Sequence, residues 1–393
     1  MTIFNRIAIA VSLLILAFFV APLGFSSWNK LKQDKHLSFH RAPRPAIAEL
    51  SRRVRESDTT DPLGRITIER DLASEIYGLD HPYNRYDPQA IWTHEPDLNA
   101  RRSFKEHPKG AWTMRTNSLG MRRDTEVQNT SPDLRVLVVG DSHVDGICNN
   151  SENLCAVAET SLQQAHPGRN IEVLNCARGG HSMWNYLGVI EKHAELAPDI
   201  VIVTTFAGND FTDVLMLGHI FKGSKSKGLS TEGKERREEV IALRPHILGQ
   251  GYGSLLLFKE RPGELSFSLE TTARLLEQIK RTCQENGAEL LLMYLPSPLS
   301  FEREGLAQEE LESRATLGLT EEDLALPRFL SERFQEISAA LGIPTIDLGA
   351  TLDGCAETCF WETDLHLSVE GHQRVGTRLA EWIESSTSVR ENL

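Results

Sequence analysis

Arg135-Val-Leu-Val-Val-Gly-Asp-Ser-His143 is the stretch on which the fold turns. Four successive β-branched or leucyl residues with no polar alternation predict a strand buried on both faces, and Gly140 closes it with a turn. The same grammar repeats downstream. Ile171–Asn175, Asp199–Phe206, Glu289–Leu295 and Pro344–Leu348 predict further strands. Between and after them, helical spacing covers Glu152–Ala165, Met183–Leu196, Leu269–Asn286 (stopped by Gly287), Phe329–Ala340 and Val369–Ile383. Strands alternating with helices predict right-handed βαβ units and a parallel sheet covered on both sides.

Five such strands predict an α/β fold, a flavodoxin-like doubly wound parallel five-stranded sheet with its sites at the carboxyl ends of the strands. The composition agrees with a globular chain. Of 393 residues, 40% are apolar and 25% charged, which excludes a disordered, collagen-like or polytopic membrane protein. The net charge of −13 opposes general attraction to nucleic acid. The one charge-rich run, Lys222–Glu239, mixes acids among its bases.

Outside the sheet-forming part the chain changes character. After a six-residue tail, Ile7–Phe25 is uncharged and nearly all apolar, long enough for a membrane-anchoring helix and without a good cleavage site. Residues 26–62 are polar, with a helix-prone run at 46–54, and read as a juxtamembrane spacer. Residues 63–130, rich in Pro, Asn, Asp and aromatics with extended runs such as Arg65–Glu69, predict an irregular, β-containing lead-in to a domain spanning 131–393. Residues 212–265 interrupt the alternation, and their Lys, Gly, Ser and Glu read as a mobile insertion, either a solvated loop or a lid. Cys148 with Cys155 and Cys355 with Cys359 have the spacing of short-loop disulfides in an oxidising compartment, with unpaired thiols as the other reading. The positive charges after the apolar segment (Lys30, Lys32, Lys35, Arg41) argue for a cytoplasmic domain, the cysteine pairs for an extracytoplasmic one; the latter is the expectation adopted.

Four blocks carry potential chemistry, each placed by the βα topology at one sheet edge. Gly140-Asp-Ser142 puts a hydroxyl on a strand-to-helix turn. Asn175-Cys-Ala-Arg-Gly179-Gly180 lets backbone N–H groups approach a ligand. Gly208-Asn209-Asp210 offers an amide donor to an oxyanion. Asp364-Leu-His366 supplies an imidazole able to accept a serine proton and a carboxylate able to orient it. Alone, each is ordinary turn or cap chemistry.

Together they resemble the SGNH/GDSL hydrolase family over about residues 133–385. Arg115-Thr-Asn-Ser-Leu-Gly-Met-Arg122 is similar to the segment that often precedes the first block in membrane-anchored members. The resemblance implies the SGNH hydrolase fold, Ser142 as nucleophile, His366 as general base and Asp364 as its orienting acid. It also implies an oxyanion hole of the Ser142 and Gly180 N–H groups and the Asn209 side chain, with no metal and no cofactor. The usual last block is D-x-x-H; the D-x-H here is shared by relatives of alginate O-acetyltransferases, and it leaves Glu362 as the alternative acid. The expected reaction is hydrolysis of O-acyl esters, O-acetyl above all, of a small molecule or cell-envelope carbohydrate through an acyl-enzyme. An O-acyltransferase using the same residues, and a non-catalytic glycan-binding or assembly protein that kept the fold, are the alternatives. A metal site from Asp141, His143, Asp364, His366 and His372 is a weaker rival, its ligands being spread over loops. Gly140–Val144 lacks the second glycine of the α/β-hydrolase elbow.

Overall fold

A computed structural model describes residues 44–128, 131–244, 246–301, 308–356 and 358–386. Among the described residues there are nine strands. β1 (Asn84–Asp87) pairs antiparallel with β2 (Ile91–His94), and β3 (Asn99–Ser103) with β4 (Ala111–Arg115). β5 (Leu134–Val139), β6 (Ile171–Asn175), β7 (Ile200–Phe206), β8 (Glu289–Leu295) and β9 (Thr345–Asp347) make one parallel sheet in the order β6-β5-β7-β8-β9. That is the doubly wound order expected, with its switch point at β5.

The apolar runs are continuous because consecutive side chains serve opposite cores. Leu137 and Val139 of β5 and Val201 and Val203 of β7 pack with the helices Met183–Lys192 and Pro262–Glu285. Val136 and Val138, with Ile200 and Ile202, enter the other core beneath Leu154–Ala165 and Val369–Glu384. A strand of period two buried on both faces leaves few positions for polar residues, and the buried Arg135 of β5 and Glu172 of β6 pair with each other.

Expectations about two segments need correction. Residues 212–265 are mostly helical, not a mobile loop. Ser230 caps a helix over Thr231–Leu243 by accepting the Gly233 N–H at 2.9 Å, and Tyr252–Glu260 and Pro262–Glu285 follow. Val240, Ile247, Tyr252, Leu255 and Leu256 form a third core with Leu299, Leu317 and Leu365. The average polarity of the segment hides these spaced apolar positions. By contrast, the helix-prone run at 46–54 is present as the helix Arg44–Glu56, which buries Ala46 and Leu50 in the main core. Arg65–Glu69 joins no sheet; the Arg65 guanidinium is held by Asp61 and Glu191. Residues 7–25 lie outside the described residues, and among the described residues no helix is long and apolar enough to cross a membrane.

Cys355 and Cys359 are disulfide-bonded, whereas Cys148 and Cys155 are separate buried thiols. Cys155 starts a helix and faces the sheet core, while Cys148 lies before that helix, where its carbonyl accepts from Arg122. Burial raises both thiols, Cys148 to about 12.

Candidate active site

β5 ends at Val139, and the chain turns at once. A Cβ on Gly140 would lie 2.5 Å from Val144 Cγ2, so the turn admits only glycine. Asp141 then caps the short helix Ser142–Asp145 by accepting the His143 N–H at 2.9 Å. This sets the Ser142 hydroxyl at the sheet's edge, half-exposed among buried neighbours. Gly179, Gly180, Asn209 and His366, each following a strand or preceding the last helix, are part-exposed as well.

The chain returns to that edge 224 residues later. His366 Nε2 lies 2.8 Å from Ser142 Oγ. His366 Nδ1 faces Asp364 Oδ1, the same oxygen that accepts the His366 backbone N–H at 3.1 Å. Leu365 between them has φ +64, a left-handed conformation costing about 1–2 kcal/mol. Its side chain is fully buried in the third core, which offsets the cost. The loop is closed at its base by the Phe360–Leu367 bridge and the Cys355–Cys359 disulfide. The left-handed residue and the Asx-type turn give D-x-H its geometry with one spacer residue. Glu362 is exposed, and its backbone carbonyl, rather than its side chain, meets Arg244.

Electrostatics follow from this packing. Burial works against ionised Asp364, but the adjoining His366 holds its pKa down to about 2. Burial likewise lowers His366, yet Asp364, Asp141 and Asp145 outweigh it and raise the imidazole above its ordinary value. Burial pushes Asp141 up to about 6 and, with Asp141 as neighbour, Asp213 up to about 7.

The glycine block lies against Ser142, and Asn209 follows the end of β7. A Cβ on Gly179 would lie 3.5 Å from Ser142 Cβ, and Gly180 takes φ +84. The Asn209 amide donates to Asp213 Oδ2 at 2.8 Å through one of its two N–H bonds.

Several participants were not singled out from the sequence. Asp145 accepts from the Gly179 N–H at 3.0 Å, and His94 of β2 approaches it at 3.0 Å with Arg122 and Arg178 beside it. Those partners outweigh the cost of burial and hold Asp145 well below the carboxylate range. The lead-in therefore braces the glycine loop. Arg122, within the segment likened to membrane-anchored relatives, donates to the Gly146 and Cys148 carbonyls. Gln250 and Arg244, from the supposed insertion, reach His366 and the loop before it. Arg122 and Arg178 lie within quoted segments and glycines flank Gln250, but no local pattern marks His94, Asp145 or Arg244.

All but one of the imidazole nitrogens of the rival metal set are engaged by the protein, the exception being the buried His372 Nε2. His143 Nε2 meets Gln250 and its Nδ1 accepts from Leu367 N–H; His372 Nδ1 accepts from Leu154 N–H; His366 uses both nitrogens as above. Among the described residues no three His, Cys, Asp or Glu side chains converge to hold a metal ion.

Residues 259–392, about a third of the chain, match a family model described as "ALGX: SGNH hydrolase-like domain, acetyltransferase AlgX". The match includes Asp364 and His366 but not Ser142. No curated protein matches the chain. Among solved structures, a lipase/acylhydrolase from Enterococcus faecalis is similar at 16% identity and TM-score 0.38, over 64% of this chain and 96% of that one. A GDSL-like lipase from Bacteroides thetaiotaomicron aligns at 12% identity and TM-score 0.35, over 66% and 92%. A two-domain esterase active on acetylated mannans aligns at 11% identity and TM-score 0.36, over 66% and 50%.

Proposed function

We propose that this chain is a serine enzyme of acyl transfer, acting on O-acetyl esters of carbohydrate through an acyl-enzyme on Ser142. The observation that carries the reading is the 2.8 Å approach of His366 Nε2 to Ser142 Oγ, with Asp364 on the far ring nitrogen. His366 takes the hydroxyl proton as Ser142 Oγ attacks the ester carbonyl. The resulting imidazolium is stabilised by Asp364. The Ser142 and Gly180 N–H groups and the second Asn209 N–H receive the oxyanion. Collapse expels the alcohol, which takes its proton from His366, and a water or sugar hydroxyl then resolves the acetyl-serine. No metal or organic cofactor takes part.

Hydrolysis and transfer differ only in the acceptor. The acetyltransferase-type match over residues 259–392 favours the transferase form. The test is a fluorophosphonate label followed by peptide mapping, then 4-nitrophenyl acetate turnover with and without an oligosaccharide acceptor. Labelling at Ser142, lost in Ser142→Ala with the fold retained, supports the reading. Undiminished turnover in Ser142→Ala ends it. Acetylated oligosaccharide as product selects transferase, and acetate alone selects esterase.

The proposal places residues 7–25 in a membrane and the catalytic body outside the cytoplasm, supported by the Cys355–Cys359 disulfide. Release by alkaline carbonate, or protection from protease added to spheroplasts, would contradict it.

A further inference from the structure

Gln250 is 4% exposed and sits where the segment 212–265 meets the catalytic edge. Its backbone carbonyl accepts from Ser297 Oγ at 2.6 Å. The next residue, Gly251, has φ +128, and a Cβ there would come within 2.8 Å of Leu299 and 2.9 Å of Ser297 Oγ. The side chain therefore leaves a backbone that has little room to shift.

What it touches defines its orientation. His143 Nδ1 accepts from the Leu367 N–H at 3.3 Å, so this buried, neutral ring carries its proton on Nε2. That proton is donated to Gln250 Oε1 at 2.8 Å. The amide NH2 is thereby turned toward His366, 3.4 Å from Nε2 and 3.5 Å from Nδ1. Both of those nitrogens already have in-plane partners in Ser142 and Asp364. Near-equal distances put the amide over the ring rather than on either lone pair. The His143 ring lies 4.7 Å from that of His366, centroid to centroid, and Phe206 backs His143 at 3.8 Å.

We propose that Gln250 is a positioning residue for the general base: with His143 it forms an uncharged clamp that orients the His366 ring toward Ser142 and favours its neutral form. The inference rests on the proposed roles of Ser142 and His366. An N–H over an aromatic face is attracted to a neutral ring and repelled by a cationic one. The charged groups facing His366 are Asp364 on its own loop, and Asp141 and Asp145 from the Ser142 turn, all favouring imidazolium; His143 and His372, if protonated, would oppose it. Gln250 opposes the three carboxylates without itself bearing charge, which keeps the base able to accept a proton. The same segment braces the loop from outside, through Arg244 donating to the Glu362 and Thr363 carbonyls.

The experiment is the imidazole titration of His366, followed by ¹⁵N NMR in the full chain, in wild type, Gln250→Met and Gln250→Glu. The pH profile of kcat/KM for 4-nitrophenyl acetate is measured alongside. Both substitutions should raise the pKa of His366 and move the acid limb upward, Gln250→Glu by about one unit or more. kcat should fall about tenfold with KM little changed, because the ring is misoriented rather than the substrate lost. Titration at the wild-type pH in a variant that retains its cooperative melt overturns the proposal. So does a wild-type His143 protonated on Nδ1, a measurement that needs no variant. A raised His366 pKa in protein that turns over no ester supports the clamp while removing the proposed function, so the two fail separately.

Discussion

Asp364→Asn separates the charge of the orienting acid from its geometry. In the structure one oxygen, Oδ1, meets both the His366 ring and the His366 backbone N–H. An asparagine whose oxygen stays on that backbone N–H still accepts from Nδ1, so the tautomer that leaves Nε2 free for the Ser142 proton survives. What disappears is the negative charge beside the imidazolium. Its worth can be bounded. Asp364 drops from an ordinary 3.8 to about 2 although burial alone would raise it. At about 1.4 kcal/mol per pH unit, that is a stabilisation of about 2 kcal/mol, or a few tens of fold, most of it from His366 with a smaller share from His246 and the His366 backbone N–H. The upper bound, near 10³-fold, is about 4 kcal/mol for adjacent charges at an effective dielectric of ~20. kcat/KM for 4-nitrophenyl acetate should therefore fall by between ~30-fold and ~10³-fold. The sign for pH follows. Losing the carboxylate lowers the His366 pKa, which Asp364 holds above its ordinary value, so the acid limb moves to lower pH. Glu362→Gln should change turnover less than about twofold, its side chain being exposed and its carbonyl the contacting group. An acid limb that stays in place, or a greater loss in Glu362→Gln than in Asp364→Asn, would refute the assignment of the orienting role.

Three further outcomes are expected. Asn209→Ala should cost about 10²-fold in kcat through loss of an oxyanion donor, with a loss below twofold striking Asn209 from the hole. Gly371→Ala would set a Cβ 2.2 Å from the Cys359 carbonyl oxygen at the base of the catalytic loop, so a lower melting temperature, by about 1–3 kcal/mol of stability, is expected; an unchanged melt would show that the loop yields freely. Turnover should be unaffected by a strong chelator, since every proposed step is carried by side chains and backbone N–H groups, and a large loss would restore the metal reading.

The parallel sheet, and the return of the chain that brings Ser142 and His366 together at one edge of it, were legible in the chain itself. Runs such as Val136–Val139 and Leu290–Leu295 are apolar because both faces of the strand are covered, and that demand is written residue by residue. Only the tertiary structure decided how the four blocks are held. Cys148 and Cys155 are close in sequence yet face different surroundings, whereas Cys355 and Cys359 meet across one turn. Asp364 rather than Glu362 faces His366 because Leu365 is buried at a positive φ, a conformation that its own preferences oppose. Gln250 reaches His143 across 107 residues, and His94 reaches Asp145 across 51. Periodicity and turn chemistry act between neighbours along the chain, whereas these contacts are chosen by burial and by the need of each buried polar group for a partner. Residues whose partners lie that far away carry no mark in the surrounding sequence.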